Sequence, residues 1–149
     1  VLLDKAPEWF EIDGESPYML LVAQVREGRR TIPSVTHVDN SARLQTVTRE
    51  EAPLYYDLIR EFGEITGVPI VINTSFNVRG EPIVASPVDA LFCLGGTEID
   101  VLVLEDFVLD REALPANWGE LLPAWRQRLR SGFGGEGRGG IRHDLYTFV

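Results

Sequence analysis

Residues 42–77 constrain the fold more than any other stretch of this 149-residue chain. Thr48-Arg49-Glu50-Glu51 has the spacing of a capping box, in which Thr48 caps a helix and Glu51 reaches back. Leu54, Tyr55, Leu58, Ile59 and Phe62 recur at helical spacing, and Gly67 stands where a left-handed residue ends a helix. The spacing predicts a helix over 49–66. It runs straight into the apolar stretch Val68-Pro69-Ile70-Val71-Ile72, which reads as a buried strand. Ahead of the helix, Ala42-Arg43-Leu44-Gln45-Thr46-Val47 alternates as a strand does, with Arg43 and Gln45 on one face. Strand, helix, strand with a crossover of this length predicts a parallel pairing. The expected class is α/β: a twisted, mostly parallel or mixed sheet flanked by helices.

The remaining segments add to that sheet. Tyr18 to Val25 follows the turn signal Gly14-Glu15-Ser16-Pro17 and reads as a strand, and Ser34 to Val38 as a short one. Glu81 to Ala85 suits a short extended piece. Ser86-Pro87-Val88-Asp89 is a helix start, with Ser86 as N-cap and Pro87 in the first turn, and Gly95-Gly96 marks the stop. Ile99 to Leu104 is a further strand, and Phe107-Val108-Leu109 continues it after a turn. Strands 18–25, 42–47, 68–72 and 99–104 are expected in one sheet. Trp118, Leu121, Leu122, Trp125 and Leu129 form one stripe of a terminal helix bent at Pro123. Residues 131–140 hold six glycines and read as a linker. The division expected is a main domain over 1–112, an amphipathic helix over 113–130, and a tail over 131–149.

The strand-like run 68–72 ends abruptly in Asn73, Thr74, Ser75 and Asn77, with Arg79 and Gly80 next. Short hydroxyl and amide side chains at a strand end can converge on a small polar ligand, and an arginine adds a planar fork for phosphate or carboxylate oxygens. Open α/β sheets bind ligands at that end of their strands. The same residues also make ordinary loops that satisfy their own backbone. Charge points to the same ligand class. The chain carries −9 overall, but residues 25–50 hold Arg26, Arg29, Arg30, Arg43 and Arg49 against three acids. A positive island in an acidic chain suits an anionic small molecule.

Composition excludes several alternatives. The acidic balance argues against a nucleic-acid surface. No run of 18 apolar residues and no signal-peptide pattern occur, and the single Cys93 cannot form an internal disulfide, so a cytoplasmic protein with no membrane partner is expected. One cysteine and two distant histidines cannot make a structural zinc site, and no metal site is assigned. His37, in Thr36-His37-Val38-Asp39, can pair with Asp39 or carry a proton; taken alone, a satisfied structural histidine is the commoner reading of such a residue. Ser75 lacks the Gly-x-Ser-x-Gly turn of a hydrolase nucleophile, and no Walker or dinucleotide glycine pattern occurs. The chain opens on Val-Leu-Leu-Asp and reads as part of something longer.

Thr36-His37-Val38-Asp39, Ala42-Arg43-Leu44-Gln45-Thr46-Val47 and Asn73-Thr74-Ser75-Phe76-Asn77-Val78-Arg79-Gly80-Glu81-Pro82 together resemble the C-terminal domain of the O-carbamoyltransferases of nodulation-factor and antibiotic biosynthesis. The likeness covers about residues 5–110. It implies a YrdC-like fold, whose carbamoylating members carry a Thr-Ser-x-Asn motif matched by Thr74-Ser75-Phe76-Asn77. It further implies that carbamoyl phosphate and ATP, the latter with Mg²⁺, yield carbamoyl adenylate. A separate N-terminal transferase domain of the parent chain, expected to hold Fe²⁺, then passes the carbamoyl group to an acceptor hydroxyl.

Relatives carry a Lys- and Arg-containing stretch ahead of the position where this chain begins. The fold is therefore expected to be incomplete at its N-terminus, and the isolated segment is expected to catalyse nothing. Arg43 and Ser75 are the expected catalytic residues, facing one concave pocket. His37, Gln45, Asn73, Thr74, Asn77 and Arg79 are expected to bind substrate or nucleotide. Lys5 is the only lysine, which keeps open a second reading: a nucleotide- or anion-binding module without chemistry. A third is an interaction domain that docks through Trp118 and Trp125.

Overall fold

The computed structural model describes residues 1–121, 123 and 124. They divide into two compact units, one over Val1–Thr74 and one beginning at Ser75. Among the described residues the fold is α/β, with short helices and two separate two-stranded antiparallel sheets.

In the first unit, α1 (Ala6–Trp9) precedes β1 (Leu21–Gln24), which pairs antiparallel with β2 (Ser41–Leu44). Leu21 lies opposite Leu44, and Val22 opposite Arg43. Residues beside the ladder extend it: Leu2 bridges Val47 in parallel, and Phe10 bridges Val25 antiparallel. Alternation works as the sequence implies. Ala42 and Leu44 go into the core while Arg43 is exposed. That core gathers Trp9, Phe10, Val25, Ala42, Leu44 and Ile70.

The helix α2 spans Pro53–Thr66, four residues shorter at its start than the expected 49–66. Thr48 Oγ1 does accept from the Glu51 N–H at 3.3 Å and donates to Glu51 Oε2 at 3.1 Å. These contacts close a separate turn, after which Pro53 opens the helix without needing an N–H partner. Gly67 ends α2 at φ +76°, its N–H bonding Gly63 O at 2.8 Å. The helix buries Tyr55 and Ile59, one turn apart, against Leu2 and Val47. Leu54, Leu58 and Phe62, expected on the same apolar stripe, are 71%, 49% and 40% exposed.

The expected single sheet is not formed: residues 68–72 are not a strand, so nothing joins 42–47 to them in parallel. The reason is local. Pro69 has no N–H for a ladder, and the Ile70 N–H turns back to Val68 O at 2.8 Å. The segment still delivers Ile70 to the core. Two neighbouring expectations also change. Residues 34–38 are not a strand, because Pro33–Val35 forms a 3₁₀ turn tied by Thr36 Oγ1 to Ile32 O at 2.8 Å. The first strand starts at Leu21 rather than Tyr18, since Met19 adopts a left-handed φ of 55°.

The second unit packs α3 (Pro87–Gly96) on β3 (Val101–Leu104), which pairs antiparallel with β4 (Phe107–Asp110). Ser86 caps α3 as its sequence implies, its Oγ accepting from the Asp89 N–H at 3.2 Å. The glycines 95 and 96 lie inside the helix end, not beyond it. Residues 81–85 are not a strand; they are tied back to the preceding loop, the Val84 N–H to Phe76 O at 2.9 Å and the Glu81 N–H to Val78 O at 2.9 Å. Arg111 closes this unit. Its Nε donates to Ile99 O at 2.8 Å and its Nη2 to Leu94 O at 2.6 Å, satisfying a carbonyl at the end of α3. Cys93 is buried, and burial pushes its thiol above the ordinary range, in keeping with a small core residue. Half of the expected stripe over 118–129, Leu122, Trp125 and Leu129 included, and the glycine-rich tail lie outside the described residues.

Candidate functional site

Four of the expected site residues meet in one cleft of the first unit. His37, Arg43, Gln45 and Asn73 line a space of about 200 Å³ whose apolar floor includes Phe10, Leu44, Tyr55 and Ile70. Each polar group arrives by a different local device.

Arg43 comes from β2, whose alternation turns it outward while its neighbours anchor the strand. It makes no ion pair or hydrogen bond among the described residues. The other arginines of the positive island are mostly committed. Arg26 Nε donates to Pro7 O at 2.7 Å, Arg29 lies 4.7 Å over the Trp9 ring, and Arg49 pairs with Asp57 at 3.0 Å. Arg43 therefore has its five donors uncommitted at the cleft.

Gln45 and Asn73 are joined. The Asn73 amide donates to Gln45 Oε1, and Gln45 Nε2 donates to Pro17 O at 3.1 Å. The backbone carbonyl of Gln45 accepts from the Val1 nitrogen at 2.9 Å. Gln45 thus holds Asn73 through Oε1 while Pro17 O fixes the other end of its amide, and Asn73 Oδ1 stays uncommitted among the described residues. Asn73 reaches the cleft because Ile70 anchors the segment before it.

His37 stands at the start of the turn His37–Asn40, closed by the Asn40 N–H to His37 O at 3.0 Å, with Asn40 at φ +63°. Its Nδ1 lies 2.8 Å from Ser41 Oγ. Ser41 Oγ in turn donates to Asp39 Oδ1 at 2.7 Å, and the same oxygen accepts the Ser41 N–H at 3.0 Å. These bonds hold the Asp39 carboxyl below its ordinary pKa of 3.8, the Ser41 hydroxyl contributing most. His37 and Asp39 are linked through Ser41, a residue the reading of the sequence passed over. The signal was present: Asp39-Asn40-Ser41 is the spacing of an Asx turn.

The other expected residues do not line this cleft. Thr74 is exposed at the end of the first unit. Ser75, Asn77 and Arg79 belong to the second unit. There Asn77 braces its own loop, its amide donating to Glu81 O at 2.9 Å and Val78 O at 3.2 Å. The turn Val78–Glu81 closes at 2.9 Å with Gly80 at φ +88°, a conformation that favours glycine. Ser75 and Arg79 are exposed and have no hydrogen bond or ion pair among the described residues.

Comparison with known proteins decides the family. The model of the family described as Carbamoyltransferase C-terminus matches residues 1–111. The chain belongs to the carbamoyltransferase C-terminus family. A Synechocystis protein described as uncharacterized is 48% identical over 136 residues, covering 77% of this chain and 22% of the relative. Nodulation protein NolNO of Sinorhizobium fredii is 44% identical over 126 residues, covering 81% of this chain and 18% of that protein. Nodulation protein NolO of Bradyrhizobium diazoefficiens is 42% identical over 125 residues, with 80% and 23% covered. The chain therefore spans about a fifth of the length of these relatives. No helix among the described residues is long and apolar enough to cross a membrane.

Proposed function

We propose that this chain supplies the carbamoyl-activating part of an O-carbamoyltransferase, and that the cleft at Arg43 receives the phosphate end of carbamoyl phosphate. The observation that carries the reading is Arg43: a guanidinium with no hydrogen bond or ion pair among the described residues, at a cleft it shares with an imidazole and the Asn73 amide oxygen. Guanidinium offers parallel N–H donors that match phosphate oxygens two at a time. The size of the cleft, about 200 Å³, suits a small anion and falls below the roughly 300–1,000 Å³ of sites for larger ligands. ATP needs further surface.

Water releases phosphate from carbamoyl phosphate, leaving carbamate. A carbamate oxygen bonds the α-phosphorus of ATP, the bond to the β-phosphate oxygen breaks, and pyrophosphate departs, leaving carbamoyl adenylate. Charge grows on the phosphoryl oxygens, where a positioned cation and N–H donors are worth most. Arg43 and Ser75 are the proposed catalytic groups. His37, Gln45, Asn73, Thr74, Asn77 and Arg79 are proposed to position the substrates, with Gln45 acting through Asn73. Among the described residues no carboxylate lines the cleft, and the described lining does not fit a Mg²⁺ ion, which takes carboxylate oxygens. The YrdC-type sheet, and an N-terminal transferase domain in the parent protein that takes up the carbamoyl group, belong to this proposal.

The test is a titration of this chain with carbamoyl phosphate and with ATP, followed by pyrophosphate release in the full-length parent. Binding of carbamoyl phosphate that Arg43→Ala removes, with carbamoyl-phosphate-dependent pyrophosphate release, is the expected result. Binding without release makes the domain an anion-binding module; no binding of either ligand overturns the reading.

A further inference from the structure

Asp39, Ser41 and His37 form a hydrogen-bonded relay. Ser41 is 3% exposed, so its hydroxyl proton has no ready solvent partner. That proton goes to Asp39 Oδ1 at 2.7 Å. Ser41 Oγ can then meet Nδ1 of His37, at 2.8 Å, only as an acceptor. The proton between them must sit on Nδ1. We infer that Asp39 and Ser41 lock neutral His37 in its Nδ1–H form, so that Nε2 is a hydrogen-bond acceptor offered to a donor on the ligand.

The Asp39 carboxyl, ionised at neutral pH and held so by the Ser41 hydrogen bonds, keeps the serine proton pointed away from the ring. Ser41 and Asp39 are positioning residues; His37 is the contact. This assignment separates His37 from Arg43. Arg43 offers only donors and suits phosphate oxygens, whereas an imidazole lone pair repels them. What Nε2 fits is an N–H group, and the ligand proposed above carries one: the amide of its carbamoyl end. The ligand half of the inference rests on that proposed function. The tautomer half does not.

Acetyl phosphate provides the discriminating probe, because a methyl group replaces the amide and leaves Nε2 without its donor. A buried or half-buried acceptor left unmatched is worth about a tenfold loss of affinity. Carbamoyl phosphate is therefore expected to bind about tenfold more tightly than acetyl phosphate, and His37→Phe to erase the difference.

Two measurements decide it. Long-range ¹H–¹⁵N correlation spectra of the histidine-labelled chain at pH 8, in a His143→Gln background that leaves a single imidazole, report which ring nitrogen bears the proton. A protonated Nδ1 that shifts toward Nε2–H in Ser41→Ala supports the lock. An Nε2–H ring in the unsubstituted Ser41 protein, or a tautomer that Ser41→Ala leaves unmoved, overturns it. Calorimetry with carbamoyl, acetyl and inorganic phosphate tests the contact. Equal affinity for the first two overturns the acceptor role even though the cleft binds phosphate. Failure of all three to bind overturns the assignment of the cleft, and the ligand half of this inference with it; the spectrum still decides the tautomer.

Discussion

A methyl group on Gly63 would lie 2.8 Å from Pro69 Cβ and 3.0 Å from Pro69 Cα. The segment that carries Ile70 to the core and Asn73 to the cleft thus crosses α2 where the helix has no side chain. The rigid proline ring and its backbone, not a flexible side-chain end, occupy the space. This is why a glycine sits inside α2 despite its cost of about 1 kcal/mol relative to alanine in a helix interior.

Gly63→Ala should therefore destabilise the protein. The helix gains up to about 1 kcal/mol of propensity, but overpacking against backbone costs about 1–3 kcal/mol. The net expectation is a loss of up to about 2 kcal/mol, read as a lower urea midpoint at unchanged slope. A rise in the midpoint would show that Pro69 moves aside freely.

Arg111→Met keeps the apolar stem and removes both bonds to the carbonyls of Leu94 and Ile99. Charge-assisted bonds of this kind contribute about 1.5–3 kcal/mol. A loss in that range is expected for the second unit, visible in urea unfolding followed by amide exchange at 90–110. Exchange rates that stay the same there would mean that β3, β4 and α3 hold together without this brace.

Arg43→Ala should separate binding from stability. The side chain is exposed and makes no hydrogen bond or ion pair among the described residues, so unfolding should shift by less than about 0.5 kcal/mol. Carbamoyl phosphate affinity should fall about tenfold to a hundredfold. An unchanged affinity would remove the central residue from the proposed site.

Asp39 provides a pH prediction with a defined sign. Its carboxyl titrates below 3.8 in the folded chain, chiefly through the Ser41 hydroxyl. A lowered folded-state pKa adds stability at pH values above the unfolded pKa, and that stability is lost as pH falls through the folded one. Ser41→Ala should move the Asp39 titration, followed by carboxyl ¹³C shifts, upward toward 3.8. A titration that stays where it was would show that the backbone bond alone sets it.

Much of this protein is written in local sequence. The Ser86 cap, the Gly67 stop, the outward turn of Arg43 and the hairpin of 101–110 each depend on residues within a few positions, and each could be read there. Asx-turn spacing at Asp39 likewise encodes the bonds that hold His37, although it was not read. Tertiary structure decided the rest. Leu54, Tyr55, Leu58 and Ile59 are equally apolar and share helical spacing, so only the position of Leu2 and Val47 could decide that Tyr55 and Ile59 are buried while the leucines stay exposed. Residues 68–72 have a strand's composition, yet ladder pairing requires a partner with free N–H and C=O groups in register. Pro69 and the Ile70 turn withhold those groups. Periodicity shows which residues are able to pack or pair; the neighbour brought alongside by the rest of the chain determines which of them do.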